Sequence, residues 1–166
     1  MIHAQEISPA AFAPFGRLAR SGAGELKRIR DNRVLLTRTD TEFPRDELAR
    51  DFALDFYEVP AEAHPLRMTV AERHPHSCQI FVPVTARRYL VVVWPAKPAP
   101  GATPEAFVAG ARDVIVYNPG VWHHGIVALD NEATFASAMW RAPEGRDTEF
   151  CELPEPLSVS WPEPRR

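Results

Sequence analysis

The sequence predicts an all-β protein, an antiparallel barrel or sandwich of the jelly-roll kind with one or two short helices. Several short runs place apolar residues at every second position, which is the period of a strand with one buried face. Proline makes up 17 of the 166 residues, and proline is excluded from helix interiors and from central strand positions. Many short extended segments joined by turns are therefore expected, and a helical bundle is not.

Length and charge limit the class of protein further. A chain of 166 residues can bury a sizeable core without disulfides, so we expect one domain over residues 1–166. The net charge of -3 provides no basic field for nucleic acid, and a small-molecule partner is expected instead. The sequence shows neither a signal peptide nor an apolar stretch long enough to cross a bilayer, which predicts a cytoplasmic protein without a membrane partner.

The first elements of the chain are short. Residues 1–7 have the composition of a strand. Ser8 followed by Pro9 is typical of a helix N-cap with proline in the first turn, so we expect a short helix through Phe12. Residues 20–32 mix glycines and charges without a period, which predicts a mobile loop.

Alternation identifies most of the strands that follow. Phe52, Leu54 and Phe56 stand at every second position and predict a strand that buries this apolar face. Residues 66–70 repeat the pattern and lead into a histidine-containing stretch, so the apolar face of that strand is expected to become polar towards its end. Further runs of strand composition lie at residues 34–36, 78–82, 89–94, 113–117, 125–129 and 134–140.

Two segments late in the chain lack the alternating pattern of a strand. Thr103 and Pro104 resemble a helix cap and first turn, and Gly110 follows a short apolar run, so a second short helix is expected over residues 103–110. Residues 154–166 are rich in proline, which predicts an extended tail on the surface or on a partner chain, outside any sheet.

The first candidate site lies at the end of the strand over residues 66–70. Glu72, His74 and His76 stand at alternate positions, so on extended backbone their side chains point to one face. A carboxylate and two imidazoles on one face resemble the arrangement that holds a catalytic divalent ion. Pro75 would bend or end this strand, so a structural role for the two histidines is the alternative.

The second candidate site follows a turn at Pro119 and Gly120. His123 and His124 are adjacent, so a strand would send them to opposite faces and at most one could enter a cavity. Trp122 before them either walls a pocket or packs in the core.

Four runs of residues carry a family resemblance: Glu72-Arg73-His74-Pro75, Gln79-Ile80-Phe81-Val82-Pro83, Val91-Val92-Val93 and Val121-Trp122-His123-His124. They resemble the ureidoglycolate lyases, historically called ureidoglycolate hydrolases. The similarity is densest over residues 65–129. It implies a cupin-type β-barrel, often a homodimer, that releases glyoxylate and urea from ureidoglycolate in allantoin degradation.

The resemblance also implies which residues act. His74, His123 and Gln79 are expected at the catalytic centre, where a neutral imidazole can transfer protons at cytoplasmic pH. A cation must hold the substrate carboxylate, and Arg73 and Arg141 are the candidates because a guanidinium binds a carboxylate through two parallel hydrogen bonds. Trp122 is expected to wall the pocket, and His124 to lie at the barrel rim or at a dimer contact.

A divalent metal ion is the cofactor that these residues could bind. Nickel, manganese or zinc would be held by Glu72, His74, His76 and His123, and otherwise no cofactor is expected. General cupins carry a glutamate where Gln79 stands here.

The chain also departs from the family. Gly125 follows the histidine pair where proline is usual, and Trp140 precedes Arg141 where aspartate is usual. Two other classes of function therefore stay open: a metal-dependent cupin enzyme of different chemistry, such as an isomerase or dioxygenase, and a non-catalytic cupin that binds a small carboxylate.

Overall fold

The computed structural model describes residues 1–164, most of them in β-strands. One helix, α1, spans Pro9–Phe12. The strands are β1 (Ile2–His3), β2 (Gln5–Glu6), β3 (Gly16–Arg20), β4 (Glu25–Ile29), β5 (Val34–Arg38), β6 (Asp51–Val59), β7 (Leu66–Arg73), β8 (Gln79–Pro83), β9 (Arg88–Trp94), β10 (Glu105–Gly110), β11 (Asp113–Tyr117), β12 (Trp122–His123), β13 (Val127–Ala128), β14 (Ala133–Arg141) and β15 (Glu149–Ser160).

The strands form two main sheets and a separate hairpin. The larger sheet has the order β1-β15-β7-β12-β9-β10-β2, with β13 also paired to β9. The smaller sheet has the order β3-β11-β8-β14-β6, and β4 pairs with β5 alone. Apart from the parallel pairs β1–β15 and β2–β10, every strand pair is antiparallel. This is the cupin-type β-barrel, or jelly roll, that the sequence predicted.

A core rich in aromatic residues fills the space between the sheets. Phe81 and Phe135 from the smaller sheet meet Tyr89 and Phe107 from the larger sheet in one buried cluster. The Tyr89 ring contacts Phe135 at a centroid distance of 5.3 Å, and its hydroxyl donates to the carbonyl of Asp113. Burial of this kind, at about 25 cal/mol per Å² of apolar surface, is the main force that closes the barrel.

Strand β9 lies between two cores. Val91 and Val93 belong to the cluster between the sheets, whereas Leu90, Val92 and Trp94 belong to a second cluster on the other face of the larger sheet. Residues 89–94 are apolar throughout and show no alternation, which is the pattern expected of a strand buried on both faces.

The predicted first helix is confirmed and the second is wrong. Ser8 caps α1 by accepting a hydrogen bond from the backbone N–H of Ala11. The segment predicted as a second helix is strand β10, which pairs with β9 and β2. Its side chains explain why, because Phe107 packs in the first core and Ala106 and Val108 pack in the second. Only extended backbone sends successive residues to opposite faces.

The predicted loop over residues 20–32 is also partly wrong, because it contains strand β4 of the separate hairpin. The hairpin turns through Arg30, Asp31 and Asn32, which all have positive φ angles of 50 to 65°. Asp and Asn tolerate this region better than most residues do. The strand expected at residues 34–36 is confirmed as part of β5.

The prediction of a tail outside any sheet is wrong for β15, which pairs with β7 and β1. Its register against β7 shifts between Glu152 and Leu157, and Pro154 and Pro156 lie inside this irregularity. The ladder therefore does not need the N–H groups that these prolines lack. The end of the predicted tail, residues 165–166, lies outside the described residues.

The irregularity in β15 coincides with a change of face in β7. Leu66 and Met68 pack in the second core, and so does Ala71, which simple alternation would send to the other side. Glu72 consequently faces the barrel interior, where it stands opposite His123 on β12. The expectation that the apolar face of this strand simply becomes polar is wrong, because the bulged pairing re-aims the last residues of β7.

Strand β6 is confirmed, but the face expected to be buried is exposed. Phe52, Leu54 and Phe56 point away from the barrel. The inner face of β6 instead carries Asp55 and Tyr57, because alternation allows only one of the two sets to face inward. No helix among residues 1–164 is long and apolar enough to cross a membrane.

The first core predicts where the chain is most sensitive to truncation. Phe12 is fully buried and contacts Phe15, Phe107 and Tyr117. We expect Phe12→Ala to lower the free energy of unfolding by about 3–5 kcal/mol in urea denaturation, because it leaves a cavity among these rings. Phe150→Ala is the control, since Phe150 is 69% exposed, and a change within about 0.5 kcal/mol is expected. Equal losses from both variants would contradict this assignment of the core.

Candidate active site

His123 lies at the centre of the polar group inside the barrel. Strand β12 places it directly opposite Glu72 of β7. Its ring is fully buried and stacks on Tyr117, with centroids 4.1 Å apart and planes 14° apart. The ring of His74 follows at a centroid distance of 5.4 Å. Two imidazoles therefore share one buried space at the end of the barrel.

Both histidines are oriented by backbone carbonyls. His123 donates its Nδ1–H to the carbonyl of Val121 at 2.9 Å, and His74 donates its Nδ1–H to the carbonyl of Asp147 at 3.0 Å. Because a carbonyl only accepts hydrogen bonds, each Nδ1 carries the proton and each Nε2 presents a lone pair. Neither Nε2 has a hydrogen-bond partner among the described residues. Buried polar atoms are usually paired, so these two nitrogens mark a site for a ligand or an ion.

A carboxylate completes the group. The Glu72 Oε1 atom lies 3.6 Å from His123 Nε2, and one ligand atom from each of Glu72, His74 and His123 lies within 4.8 Å of the others. Burial raises the pKa of Glu72, because a charge loses the stabilisation that water gives it.

Both imidazoles are neutral at physiological pH. Burial and then the neighbouring His74 lower the pKa of His123 to about 3, although the hydrogen bond to Val121 acts in the opposite direction. Burial also lowers the pKa of His74. Each ring can therefore accept a proton or bind a metal ion through its Nε2 atom.

Strand β8 supplies the third predicted catalytic residue. Gln79 is buried and pairs with Tyr117 on one side and Met139 on the other, so all three side chains face the interior. Gln79 adjoins His74, and its Oε1 atom has no hydrogen-bond partner in the described part of the chain. The site therefore offers another acceptor beside the two Nε2 atoms.

Arg141 lies close to these groups at the solvent-facing side. Its guanidinium is 2.5 Å from Asp55 and 3.8 Å from Asp147, and its side chain is 44% exposed. Its charge contributes to the lowered pKa of His74, after burial. Arg141 is thus near the histidines and within reach of an incoming anion.

The sequence did not reveal the wall around the histidines. Tyr117 stacks on His123, and Tyr57 of β6 contacts Phe81 at a centroid distance of 5.5 Å. Burial raises the pKa of Tyr57, and the charge of Glu72 raises it further. The available signal was the alternation of β6, whose odd-numbered residues carry Asp55 and Tyr57.

The structure does not bring His76 into the group. Strand β7 ends at Arg73, the chain bends at Pro75, and the Nδ1 atom of His76 lies 2.7 Å from the carboxylate of Asp46. The expected alternation stops with the strand, so the prediction that His76 shares a metal site with Glu72 and His74 is corrected.

Arg73 and Trp122 are also placed away from the histidines. Trp122 packs in the second core, and the Arg73 guanidinium lies 4.9 Å from its ring centroid and 2.6 Å from Glu149. Both are sequence neighbours of site residues, and alternation sends them to the opposite face of the sheet. Their predicted contact with the substrate is corrected for this reason.

His124 likewise lies outside the group. It donates its Nδ1–H to the carbonyl of Gly125 at 2.9 Å, and burial lowers its pKa. At the neighbouring Gly125, an added Cβ would lie 3.9 Å from Glu72 Oε1. Glycine at this position therefore leaves room beside the carboxylate.

The group fits a divalent metal ion as well as an acid–base site. Two imidazole Nε2 atoms and one carboxylate on one side of a cavity form the facial arrangement used by catalytic metals. Hydrogen bonds from the opposite ring nitrogens, as His74 and His123 make here, are the usual support of such ligands.

Several known proteins are similar to this chain over most of its length. The family described as ureidoglycolate lyase matches residues 1–160. Relatives named ureidoglycolate lyase include one from Burkholderia mallei, 35% identical over 92% of this chain and 89% of its own length, and one from Burkholderia cepacia, 29% identical over 97% and 89%. A solved dTDP sugar isomerase from Desulfovibrio desulfuricans is 19% identical with a TM-score of 0.49, over 85% of this chain and 87% of its own. The chain belongs to the ureidoglycolate lyase family.

Proposed function

We propose that this protein is a ureidoglycolate lyase of allantoin degradation, which cleaves ureidoglycolate to glyoxylate and urea by general acid–base chemistry. One observation carries the proposal beyond family membership. Two buried neutral imidazoles expose unpaired Nε2 atoms beside a carboxylate. One such imidazole can move a proton between two atoms of a small substrate, and the other can bind the substrate.

His123 is the proposed acid–base residue. The reacting carbon of ureidoglycolate bears a hydroxyl, a carboxylate and a urea nitrogen. His123 Nε2 removes the hydroxyl proton as the carbonyl forms and the carbon–nitrogen bond breaks, and it then delivers this proton to the departing urea nitrogen. Glu72, 3.6 Å away, stabilises the imidazolium that exists between these transfers. One imidazole suffices because the hydroxyl oxygen and the nitrogen share one carbon.

The other residues bind the two ends of the substrate. His74 Nε2 and Gln79 Oε1 lack partners among the described residues and accept hydrogen bonds from the N–H groups of the urea portion. Arg141 binds the substrate carboxylate, while Asp55 and Asp147 position its guanidinium.

A divalent ion is the proposed alternative occupant of the same group. Nickel, manganese or zinc would be held by Glu72, His74 and His123, and it would polarise the substrate hydroxyl or the urea oxygen. Such an ion would also support the second candidate, a metal-dependent cupin enzyme of other chemistry.

We further infer that the chain acts as one cupin-like domain, as a homodimer, in the cytoplasm. The free thiols of Cys78 and Cys151 suit a reducing compartment. The homodimer is supported by the exposed apolar residues of β6, since patches of this kind mark interaction surfaces.

The proposed activity is tested by incubating the purified protein with each enantiomer of ureidoglycolate. We expect glyoxylate and urea to appear in equal amounts above the non-enzymatic rate. The assay is run with and without a chelator, and bound metal is measured by mass spectrometry. Glu72→Gln, which replaces the carboxylate among the three residues that would hold the ion, is the matched variant for the measurement of bound metal. Binding of glyoxylate without turnover of either enantiomer, with or without added nickel, manganese or zinc, would support a non-catalytic carboxylate-binding cupin instead.

The two adjacent histidines provide a matched pair of variants. We expect His123→Ala to lower kcat by about 10²-fold or more, the size of a lost acid or base. His124→Ala should leave kcat within a few fold, because this ring lies outside the group. Thermal unfolding shows whether each variant folds. Equal, severe losses of kcat in two folded variants would contradict the assignment.

The two candidate arginines provide a second pair. Arg141→Lys keeps the charge but removes the two-pronged hydrogen bond, so we expect kcat/KM to fall by about 10- to 100-fold, mainly through KM. Arg73→Lys should change kcat/KM by less than about threefold, since Arg73 contacts Trp122 on the opposite face. The reverse order of effects would return the carboxylate-binding role to Arg73.

A further inference from the structure

Strand β6 has two faces with different chemistry. Its inner face carries Asp55, which holds Arg141, and Tyr57, which lies near Glu72. Its outer face carries Phe52, Leu54 and Phe56, which are 59%, 58% and 65% exposed. The strand stands at the edge of its sheet and is hydrogen-bonded to β14. One wall of the active site is therefore an edge strand with an uncovered apolar back.

A complementary cleft lies on the outside of the same sheet. It has a volume of about 820 Å³ and separates the β4–β5 hairpin from the sheet. Its walls are mainly apolar, with Leu35 from the hairpin, Val82 from β8 and Val114 from β11. We call Phe52, Leu54 and Phe56 the β6 ridge, and this space the hairpin cleft.

A second copy of this chain is the occupant that fits both features. The ridge lies at one edge of the β3-β11-β8-β14-β6 sheet, and the hairpin follows β3 at the other edge. A two-fold axis along the central strand β8 exchanges the two edges, so the ridge of each copy meets the cleft of the other. An unrelated peptide in the cleft would leave the ridge uncovered.

The exposed apolar area supplies a large part of what such a contact needs. At roughly 200 Å² for a whole aromatic side chain, the ridge alone exposes on the order of 350 Å². The apolar walls of the cleft add to this, towards the value of about 800 Å² per partner that stable interfaces bury. Exposed apolar surface of this extent on an edge strand is otherwise a liability for aggregation.

We propose that the protein dimerises by seating the β6 ridge of each copy in the hairpin cleft of the other, and that this contact orders the wall of the active site that carries Asp55 and Tyr57. The coupling deepens the proposed homodimer and uses the proposed lyase activity as one readout. An edge strand bonded to one neighbour opens easily, and a partner packed on its back raises the free energy of that opening. Arg141 then keeps its position because Asp55 does.

The test removes the ridge and measures mass, activity and local order separately. Phe52→Ser/Phe56→Ser is compared with Val84→Ser, a substitution at a residue 55% exposed outside the ridge and the cleft. Light scattering should give a mass near 18.6 kDa for the double variant and about twice that value for the wild type and the control. We expect kcat/KM to fall about tenfold or more, with faster amide hydrogen exchange over residues 51–59.

A second variant tests the same interface from the side of the hairpin cleft. Leu35→Asp, in the hairpin, should also give a monomer with fast exchange in β6, although it changes no residue of that strand. This variant decides the question if the double variant does not fold. A dimer in both folded variants would overturn the interface, and a fully active monomer with slow exchange in β6 would overturn the coupling. Absence of turnover in the wild type would refute the lyase activity alone, because mass and exchange do not depend on it.

Discussion

Two hydrogen bonds from imidazole Nδ1–H groups to backbone carbonyls are the constraint on which the site depends. They place the proton of His74 and of His123 on the nitrogen that faces the scaffold, so the lone pair of each ring faces the cavity. Burial then keeps both rings uncharged, because it disfavours the charged imidazolium. The result is a pair of neutral rings with their lone pairs beside Glu72, an arrangement that suits a metal ion or a substrate that donates hydrogen bonds.

The scaffold connects these two bonds through one turn. The Gly120 N–H donates to the carbonyl of His74 at 2.8 Å, and the carbonyl of Val121 accepts the hydrogen bond from the Nδ1–H of His123. Gly120 has φ of 78°, a conformation that glycine adopts without strain. A change in this turn would therefore alter both histidines together, whereas Glu72 depends on the irregular pairing of β7 with β15.

Local patterns were sufficient for much of the fold and for part of the site. The Ser8-Pro9 cap and the alternating strands followed from short-range rules of spacing, and the pairing of His74 with His123 was implied by the family resemblance of short motifs. Residues 103–110 were misread because a capping pattern competes with burial, and burial on both faces of β10 required extended backbone. Arg73 and Trp122 were misassigned because sequence proximity to a site residue says nothing about which face of a strand a side chain occupies.

The sequence by itself determined the all-β class, the short first helix and the family, because period-two alternation, proline content and short motifs are local properties. Only the tertiary structure decided which residues share the cavity. The bulge opposite Met68 turned Glu72 inward, the bend at Pro75 removed His76, and the packing of two sheets brought Tyr57 and Tyr117 to the histidines. These outcomes depend on pairing between residues far apart in the chain, and a register change of one residue sends every following side chain to the other face.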